Sequence, residues 1–341
     1  MNRKPLVQFG SLLMVAMVMS SCAPSVSTVK VEGESIDPVM GDWAGHRVMS
    51  DGMVVPMAVQ SIALGGNKYR FNMHRYFDRR DDGPVTSFEG QVEGGRIVDP
   101  ENPAMQATIS GGRISGHSAG KIPSFEFAHV VRLSPALGAK PPAGAVVIFD
   151  GTNLNAWERR DEKQRSTPVN WKLVGGAMEV TPGGGDIVTK QKFTNFQLHV
   201  EFRSPFMPEA RGQARGNSGV YLQGRYEVQV LDSYGLAGED NECGGIYKVS
   251  KPRVNMCAPP GQWQSYDVTF HAPQFDAEGK KVKDAVVTVV HNGIVIHENL
   301  VIPGPTGGAI DGNVQLPAGL LLQDHGNLVQ FRNIWLVELK N

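Results

Sequence analysis

The feature that most constrains this chain is the stretch Asn217-Ser-Gly-Val-Tyr-Leu-Gln-Gly-Arg-Tyr-Glu-Val-Gln-Val-Leu-Asp232. Much of it alternates with a period of two, the pattern of a half-buried strand. Val220, Leu222, Tyr226, Val228 and Val230 share one parity and can enter a core. Tyr221, Gln223, Arg225, Glu227 and Gln229 share the other. That second face lines up an aromatic ring, two amides, a guanidinium and a carboxylate. Such groups hold the hydroxyls and ring face of a polyhydroxylated ligand. A solvated face with a few cross-strand pairs accounts for the same row without any ligand.

The rest of the chain suits a β architecture. It has 40 glycines and 22 prolines in 341 residues, and 41% of its residues are apolar. No long helical periodicity is present, and the length suggests two domains. Met53 to Leu64 and Lys68 to Tyr76 read as strands joined by Gly65-Gly-Asn67. Short strands with Gly-Gly turns follow. Together, residues 37–137 read as a small antiparallel β domain with no catalytic cluster, and 138–144 as a linker. Residues 145–340 read as a larger β domain of about a dozen strands, with Asn292-Gly293 as a type I′ turn. Pro182-Gly-Gly-Gly185 is a turn and not a phosphate loop, since no Lys-Ser or Lys-Thr follows it. The expected fold class is all-β, with the large domain a two-sheet jelly-roll sandwich or, alternatively, a barrel.

The N-terminus carries its own signal. Arg3 and Lys4 precede an apolar run from Leu12 to Met19, then Ser20-Ser21-Cys22. This resembles a bacterial lipoprotein signal peptide, 1–22, with Cys22 as the lipidation site. A plain export signal with a chance cysteine is the alternative. The run is too short to span a bilayer. Residues 23–36 would then be a tether to the membrane. In such lipoproteins an aspartate after the cysteine often marks inner-membrane retention. Ala23 stands there instead, which favours the outer membrane of a bacterial cell envelope, facing periplasm or exterior. Without Arg3 and Lys4, 31 basic residues face 34 acidic ones, a formal charge of −3. That excludes an electrostatic funnel for nucleic acid. In an oxidising compartment, Cys243 and Cys257 are expected to form a disulfide. A zinc pair or free thiols are the other readings.

Further motifs follow the central stretch: Glu242-Cys-Gly-Gly-Ile-Tyr247, Trp263-Gln-Ser-Tyr-Asp267, His291-Asn-Gly293, Leu322-Gln-Asp-His-Gly-Asn327 and Phe331-Arg-Asn-Ile-Trp335. With them, the chain from about Ala145 to Leu339 resembles the 3-keto-disaccharide hydrolase domain family, long a domain of unknown function. The resemblance implies a concanavalin-like jelly roll and cleavage of the glycosidic bond in 3-keto-disaccharides or 3-keto-glycosides. A ketone at C3 acidifies the proton on C2. A base removes it, the enolate expels the glycosidic oxygen from C1, and water adds to the product. Such a site needs a base, a group to steady the enolate and a proton source.

On this reading Glu227, Asp232 and His325 are the catalytic candidates. Tyr221, Gln223, Arg225, Gln229, Tyr247 and Gln323 are candidates for holding the sugar. No cofactor is assigned from the sequence; Glu227, Gln229, Asp232 and His325 could together hold a divalent cation, although their spacing matches no diagnostic metal motif. Two other functions stay open. Glu227-x-Gln229-x-x-Asp232 faintly resembles the Glu-x-Asp-x-x-Glu strand of laminarinase-like glycosidases. However, Gln229 replaces a carboxylate, and five residues of strand span roughly 16 Å where retaining chemistry wants about 5–5.5 Å. A non-catalytic carbohydrate-binding envelope protein would use the same polar row.

Overall fold

A computed structural model describes residues 37–77, 83–117 and 124–340. The signal segment, Cys22 and the tether lie outside the described residues. Among those described, no helix is long and apolar enough to cross a membrane.

The first body contains β1 (Gly41–Val48), β2 (Val54–Gly65), β3 (Lys68–His74), β4 (Thr86–Glu93), β5 (Arg96–Val98), β6 (Gln106–Ser110), β7 (Arg113–His117) and β8 (Ser124–Val130). Each pairs with the next, and β1 also pairs with β8 from Asp42↔Val130 to Val48↔Ser124. The small antiparallel domain expected from sequence is therefore a closed up-and-down barrel. Closure removes both sheet edges, which short strands alone would leave open to other chains. Period-two alternation sends Trp43, Val59, Phe71, Ile97, Ile114 and Phe127 inward, and all are buried. One end is stoppered. Trp43 Nε1 donates to Val39 O at 3.2 Å, and the Tyr69 hydroxyl donates to Asp37 Oδ2 at 2.7 Å.

The second body is a jelly-roll-like sandwich. Its elements are β9 (Val146–Phe149), β10 (Trp157–Arg159), β11 (Lys172–Val174), β12 (Ala177–Glu179), β13 (Ile187–Thr189), β14 (Phe196–Arg203), β15 (Ser218–Leu222), β16 (Tyr226–Val230) and β17 (Gln264–His271). They continue with β18 (Gln274–Phe275), β19 (Lys281–Lys283), β20 (Ala285–His291), β21 (Ile294–Ile302), β22 (Leu321–Leu322) and β23 (Gln330–Glu338). One sheet runs β10-β13-β22-β15-β16. The other runs β11-β12-β23-β14-β17-β20-β21, with β9 also on β23. Val220, Val228, Leu198, Val200, Phe270 and Val287 fill the space between them. Asn292 and Gly293 both take positive φ, 50° and 83°, as the type I′ turn between β20 and β21 demands.

The central stretch departs from the single strand its alternation predicts. It is a hairpin, β15 against β16, with Gln223 and Gly224 at φ 50° and 61° in the turn. Parity survives the turn because Tyr221 pairs with Glu227 and Gly219 with Gln229. A row that one strand would spread out is thus folded onto itself.

The two bodies touch. The Tyr234 hydroxyl donates to Asp42 Oδ1 at 2.9 Å, and Asn72 Nδ2 donates to Gly235 O at 2.8 Å. Gly235, at φ 76°, packs its bare α-carbon on Ile62, where a side chain would collide. The stretch between the bodies is also bound to the sandwich. Ser134 Oγ lies 2.6 Å from Ser265 Oγ, and Gly138 N donates to Glu201 Oε1 at 2.6 Å.

Cys243 and Cys257, expected as a disulfide, are two buried free thiols. The two thiols share a hydrogen bond, and each sulfur has a further polar neighbour. Cys243 Sγ sits 3.2 Å from the Tyr266 hydroxyl, and Cys257 Sγ is 3.5 Å from both Leu231 O and Ala258 O.

Candidate active site

The hairpin is buried on both faces, with all ten residues of its strands inaccessible. One face joins the core. The other forms the floor of a pocket of about 190 Å³ lined by Gln213, Asn217, Tyr221, Glu227, Gln229, Tyr247, Gly307, Gly308, Gln323 and His325. Six of the residues expected at the site from sequence converge here: Tyr221, Glu227, Gln229, Tyr247, Gln323 and His325. His325 is exposed at the rim.

Glu227 is the centre. Its backbone is pinned when Thr306 Oγ1 accepts from its N–H at 3.0 Å and when its carbonyl accepts from Tyr247 N at 3.2 Å. Its carboxyl occupies the space left by Gly219, where a side chain would strike it. Burial raises its pKa to about 8, opposed by the hydrogen bond of Tyr221 and reinforced by the negative charge of Asp186. Among the described residues lining the pocket, Glu227 is the sole carboxylic acid.

The walls are buried polar groups in a network. The Tyr221 hydroxyl donates to Gly307 O at 3.0 Å and accepts from Gln323 Nε2 at 3.2 Å. Burial, then the charge of Glu227, raises the Tyr221 pKa far above the usual phenol value. Gln229 Nε2 donates to Gln213 Oε1 at 3.1 Å, and Asn217 Nδ2 donates to Gln213 O at 2.8 Å. Asn217 Oδ1 is buried with no hydrogen-bond partner. A buried acceptor left open at a pocket wall is poised to take a hydroxyl from a ligand.

Three expected residues lie elsewhere, and the hairpin explains two of them. Gln223 sits in the turn and donates to Phe193 O at 2.8 Å. Arg225, at the other side of the turn, spans to Asp311 Oδ1 at 2.8 Å and Leu316 O at 2.9 Å, fixing the 306–319 loop that supplies Gly307 and Gly308. Asp232 follows β16 on the core parity and is fully buried in an ion pair with Arg215 at 2.6 Å. Burial raises its pKa and the Arg215 charge opposes this. Of the four residues considered for a divalent cation, Glu227, Gln229 and His325 remain together, and Asp232 is committed to Arg215. Among the described residues, no group of three or more His, Cys, Asp or Glu side chains converges to hold a metal.

Sequence reasoning missed Gln213, Asn217, Gly307 and Gly308. Gln213 lies in the basic loop Arg211 to Gly216, which from sequence reads either as a solvated loop or as a cover for a ligand, and Asn217 opens the central stretch without standing out in it. The Gly307-Gly308 pair carries only the signal that a glycine sits where a side chain would collide with the Tyr221 hydroxyl.

A jelly-roll-like sandwich with a pocket of buried polar side chains around one carboxylic acid falls among the domains of glycosyl-hydrolase type. More particularly, residues 144–337 match the family described as the 3-keto-alpha-glucoside-1,2-lyase-like domain, and the chain belongs to that family. A crystal structure of a candidate glycosyl hydrolase from Parabacteroides distasonis ATCC 8503 is 39% identical, with a TM-score of 0.53 over 58% of this chain and 85% of that one. A second candidate glycosyl hydrolase from the same organism is 22% identical, with a TM-score of 0.43 over 58% of this chain and 95% of that one. No curated protein matches the chain.

Proposed function

We propose that the pocket cleaves the glycosidic bond of a 3-keto-glycoside, with Glu227 as its acid–base group. The observation that carries this is the lone carboxyl among the described pocket-lining residues, set in a ring of amides, tyrosines and one histidine. Ordinary glycosidases flank the bond with two carboxylates, about 5–5.5 Å or 6.5–9.5 Å apart. Elimination next to a ketone needs one base, a hydrogen-bonded cradle and a proton source. Glu227 takes the proton from C2, and the electron pair moves to the C3 oxygen as an enolate. The ketone then re-forms as the C1–O bond breaks, and the leaving oxygen takes a proton, a role we give to His325 at the pocket rim. Water adds across the C1–C2 double bond, hydroxyl to C1 and hydrogen to C2, so the sum is hydrolysis. Tyr221, Gln229, Tyr247, Gln323 and the open Asn217 acceptor bind the sugar. If a divalent cation joins the site, Glu227, Gln229 and His325 are the donors on offer. The pocket is small beside the roughly 300–1,000 Å³ of sites for drug-sized ligands, which favours one enclosed ring with the second sugar outside.

A second reading is ordinary hydrolysis. It draws on the description of the Parabacteroides relatives and on Asp186, whose charge is close enough to push the pKa of Glu227 upward. Asp186 is held by Arg160 at 2.8 Å and accepts from Asp324 N at 2.9 Å. One experiment separates the two. Product formed from a 3-keto-disaccharide in deuterated water should carry deuterium at C2, above an enzyme-free control. Rapid cleavage of unoxidised disaccharides with C2 untouched would replace elimination by hydrolysis through an oxocarbenium ion. Tight binding of the keto-sugar without turnover would mark a binding protein.

The site is read as working in the bacterial envelope, lipid-anchored at Cys22. Incorporation of labelled fatty acid should be lost in Cys22→Ser, and label retained in that variant would refute the anchor.

A further inference from the structure

The barrel holds a cavity that the sandwich chemistry does not use. It measures about 220 Å³ and is walled by Phe71, Met73, Phe88, Ile97, Phe125 and Phe127, with Ala107 among its smallest lining residues. An eight-stranded barrel is just wide enough either to fill with side chains or to keep room for one small ligand. This one keeps room. An apolar cavity of about 150 Å³ stays dry and takes up benzene, so this one accommodates a chain or ring of roughly eight carbons.

The two ends differ. Trp43 and Tyr69, tied to residues 37–39, close one of them. The other is where β1 ends and β4 and β8 begin. There Arg47, Thr86, Asp99 and Asn102 join the lining. Arg47 is half-buried and lines the cavity, and its side chain has no ion-pair or hydrogen-bond partner among the described residues. Asp99 is already engaged, since its Oδ1 accepts from Glu101 N at 2.9 Å and Asn102 N at 3.3 Å. Around the same mouth, Met53, Val54, Tyr76 and Val85 are each more than half exposed. Apolar side chains gathered on a rim mark the route of an apolar ligand or partner.

We propose that the barrel binds a medium-chain monocarboxylate, with its alkyl tail in the cavity and its carboxylate against Arg47. The tail fills a space that water does not favour, and the head meets a guanidinium that no described residue pairs, a group that binds carboxylates through paired donors. This site is independent of the Glu227 pocket.

The test uses the whole chain with Cys22→Ser, so that no attached lipid competes, and isothermal titration with octanoate, octan-1-ol and octylammonium. Octanoate should bind one to one and octanol about ten-fold or more weaker, the scale of one charge-assisted hydrogen bond. Octylammonium should be weakest. Arg47→Gln lies at the rim and should bring octanoate down to the octanol level. Ala107→Phe fills the cavity and should abolish binding of both, with an unchanged far-ultraviolet circular dichroism spectrum as the folding control. No binding of octanoate, equal affinity for the three head groups, or binding by Ala107→Phe as tight as by the parent would each overturn the proposal.

Discussion

The barrel and the sandwich use the same alternating strand for opposite ends. In the barrel the inward face is apolar and encloses an apolar space, while the outward face is largely solvated. In the β15–β16 hairpin both faces are buried, and the second face buries polarity: Tyr221, Glu227 and Gln229 are each under 3% exposed. Burying such groups is costly unless they are hydrogen-bonded, and here they are bonded to one another and to Gln213, Gly307 and Gln323. The difference teaches that an alternating pattern fixes which residues share a face, and that the neighbouring loops decide what the face is for. The barrel's interior could be emptied of function and still fold by its apolar contacts. The hairpin's polar face carries the candidate chemistry on groups whose burial is itself costly, so substitutions there change activity and stability together, and not always in the same direction.

The sharpest way to test that contrast is Glu227→Gln. Turnover of a keto-glycoside should fall about 10²-fold or more, the usual scale for a lost acid–base group, while octanoate binding in the barrel stays as it was. Gly219→Ala comes next. Its methyl group would displace the Glu227 carboxyl, and a drop of about ten-fold or more in kcat, the cost of a small misplacement, is expected in steady-state kinetics. Equal kcat in that variant would mean that the position of Glu227 does not govern the reaction. The pH profile follows from the raised pKa. Below about 8 Glu227 keeps its proton, so a base role makes kcat/KM rise with pH and level off above about 8. A profile that falls across that range would assign Glu227 the acid role.

Stability should show the same proton with a definite sign. The folded protein binds it more tightly than the unfolded chain, whose Glu titrates near 4.5. That stabilisation is complete below about pH 4.5 and is lost as pH rises through about 8. Glu227→Gln removes the liability, so thermal melts at pH 9 should place the variant a few degrees above the parent, with the two closer together at pH 4.

A smaller effect is expected in the clamp on the connecting segment. His199 stacks on Trp335 and bonds Asp267 at 2.6 Å; Glu201 takes Arg332 Nε at 2.6 Å and Asn333 Nδ2 at 2.9 Å. Burial lowers the His199 pKa, but hydrogen bonds to Asp267 and Glu201 outweigh it and bring it to about 9. Burial likewise raises Glu201, and its four hydrogen bonds bring it down to about 2. The His199 contribution is full below about 6.5 and fades through 9, and that of Glu201 is full above about 4.5 and fades through 2. His199→Gln should cost about 1–3 kcal/mol in denaturant melts at pH 5.5 and less at pH 9.

Much of this was legible in the residues. The parity of Val220 to Val230 separated core from pocket correctly, and the Asn292-Gly293 turn was readable because only a few residues accept positive φ at two successive positions. The Gln223-Gly224 turn was not, since it interrupts neither parity nor hydrophobicity. Missing it placed Gln223 and Arg225 in a row they do not join. Asp232 was misplaced for a related reason: its charge suggested a site, but its parity already pointed it to the core, where Arg215 neutralises it. Barrel closure was invisible because nothing local in β1 or β8 records that they pair across some eighty residues. Gln213 and Asn217 were unreadable because a loop shows its purpose only once folded over a strand.

The contact between Tyr234 and Asp42 bears on where this chain can be cut. The family match begins at residue 144, and an expression boundary drawn there looks natural. It would leave the Tyr234 hydroxyl without its buried acceptor and bare the surface of Gly235 that covers Ile62. Tyr234 N also donates to Asp232 Oδ1 at 3.3 Å, and Asp232 grips Arg215 just ahead of Asn217. The edge of the excised fragment would therefore begin two side chains from the pocket wall, and the loop that shapes the pocket would become its loosest part.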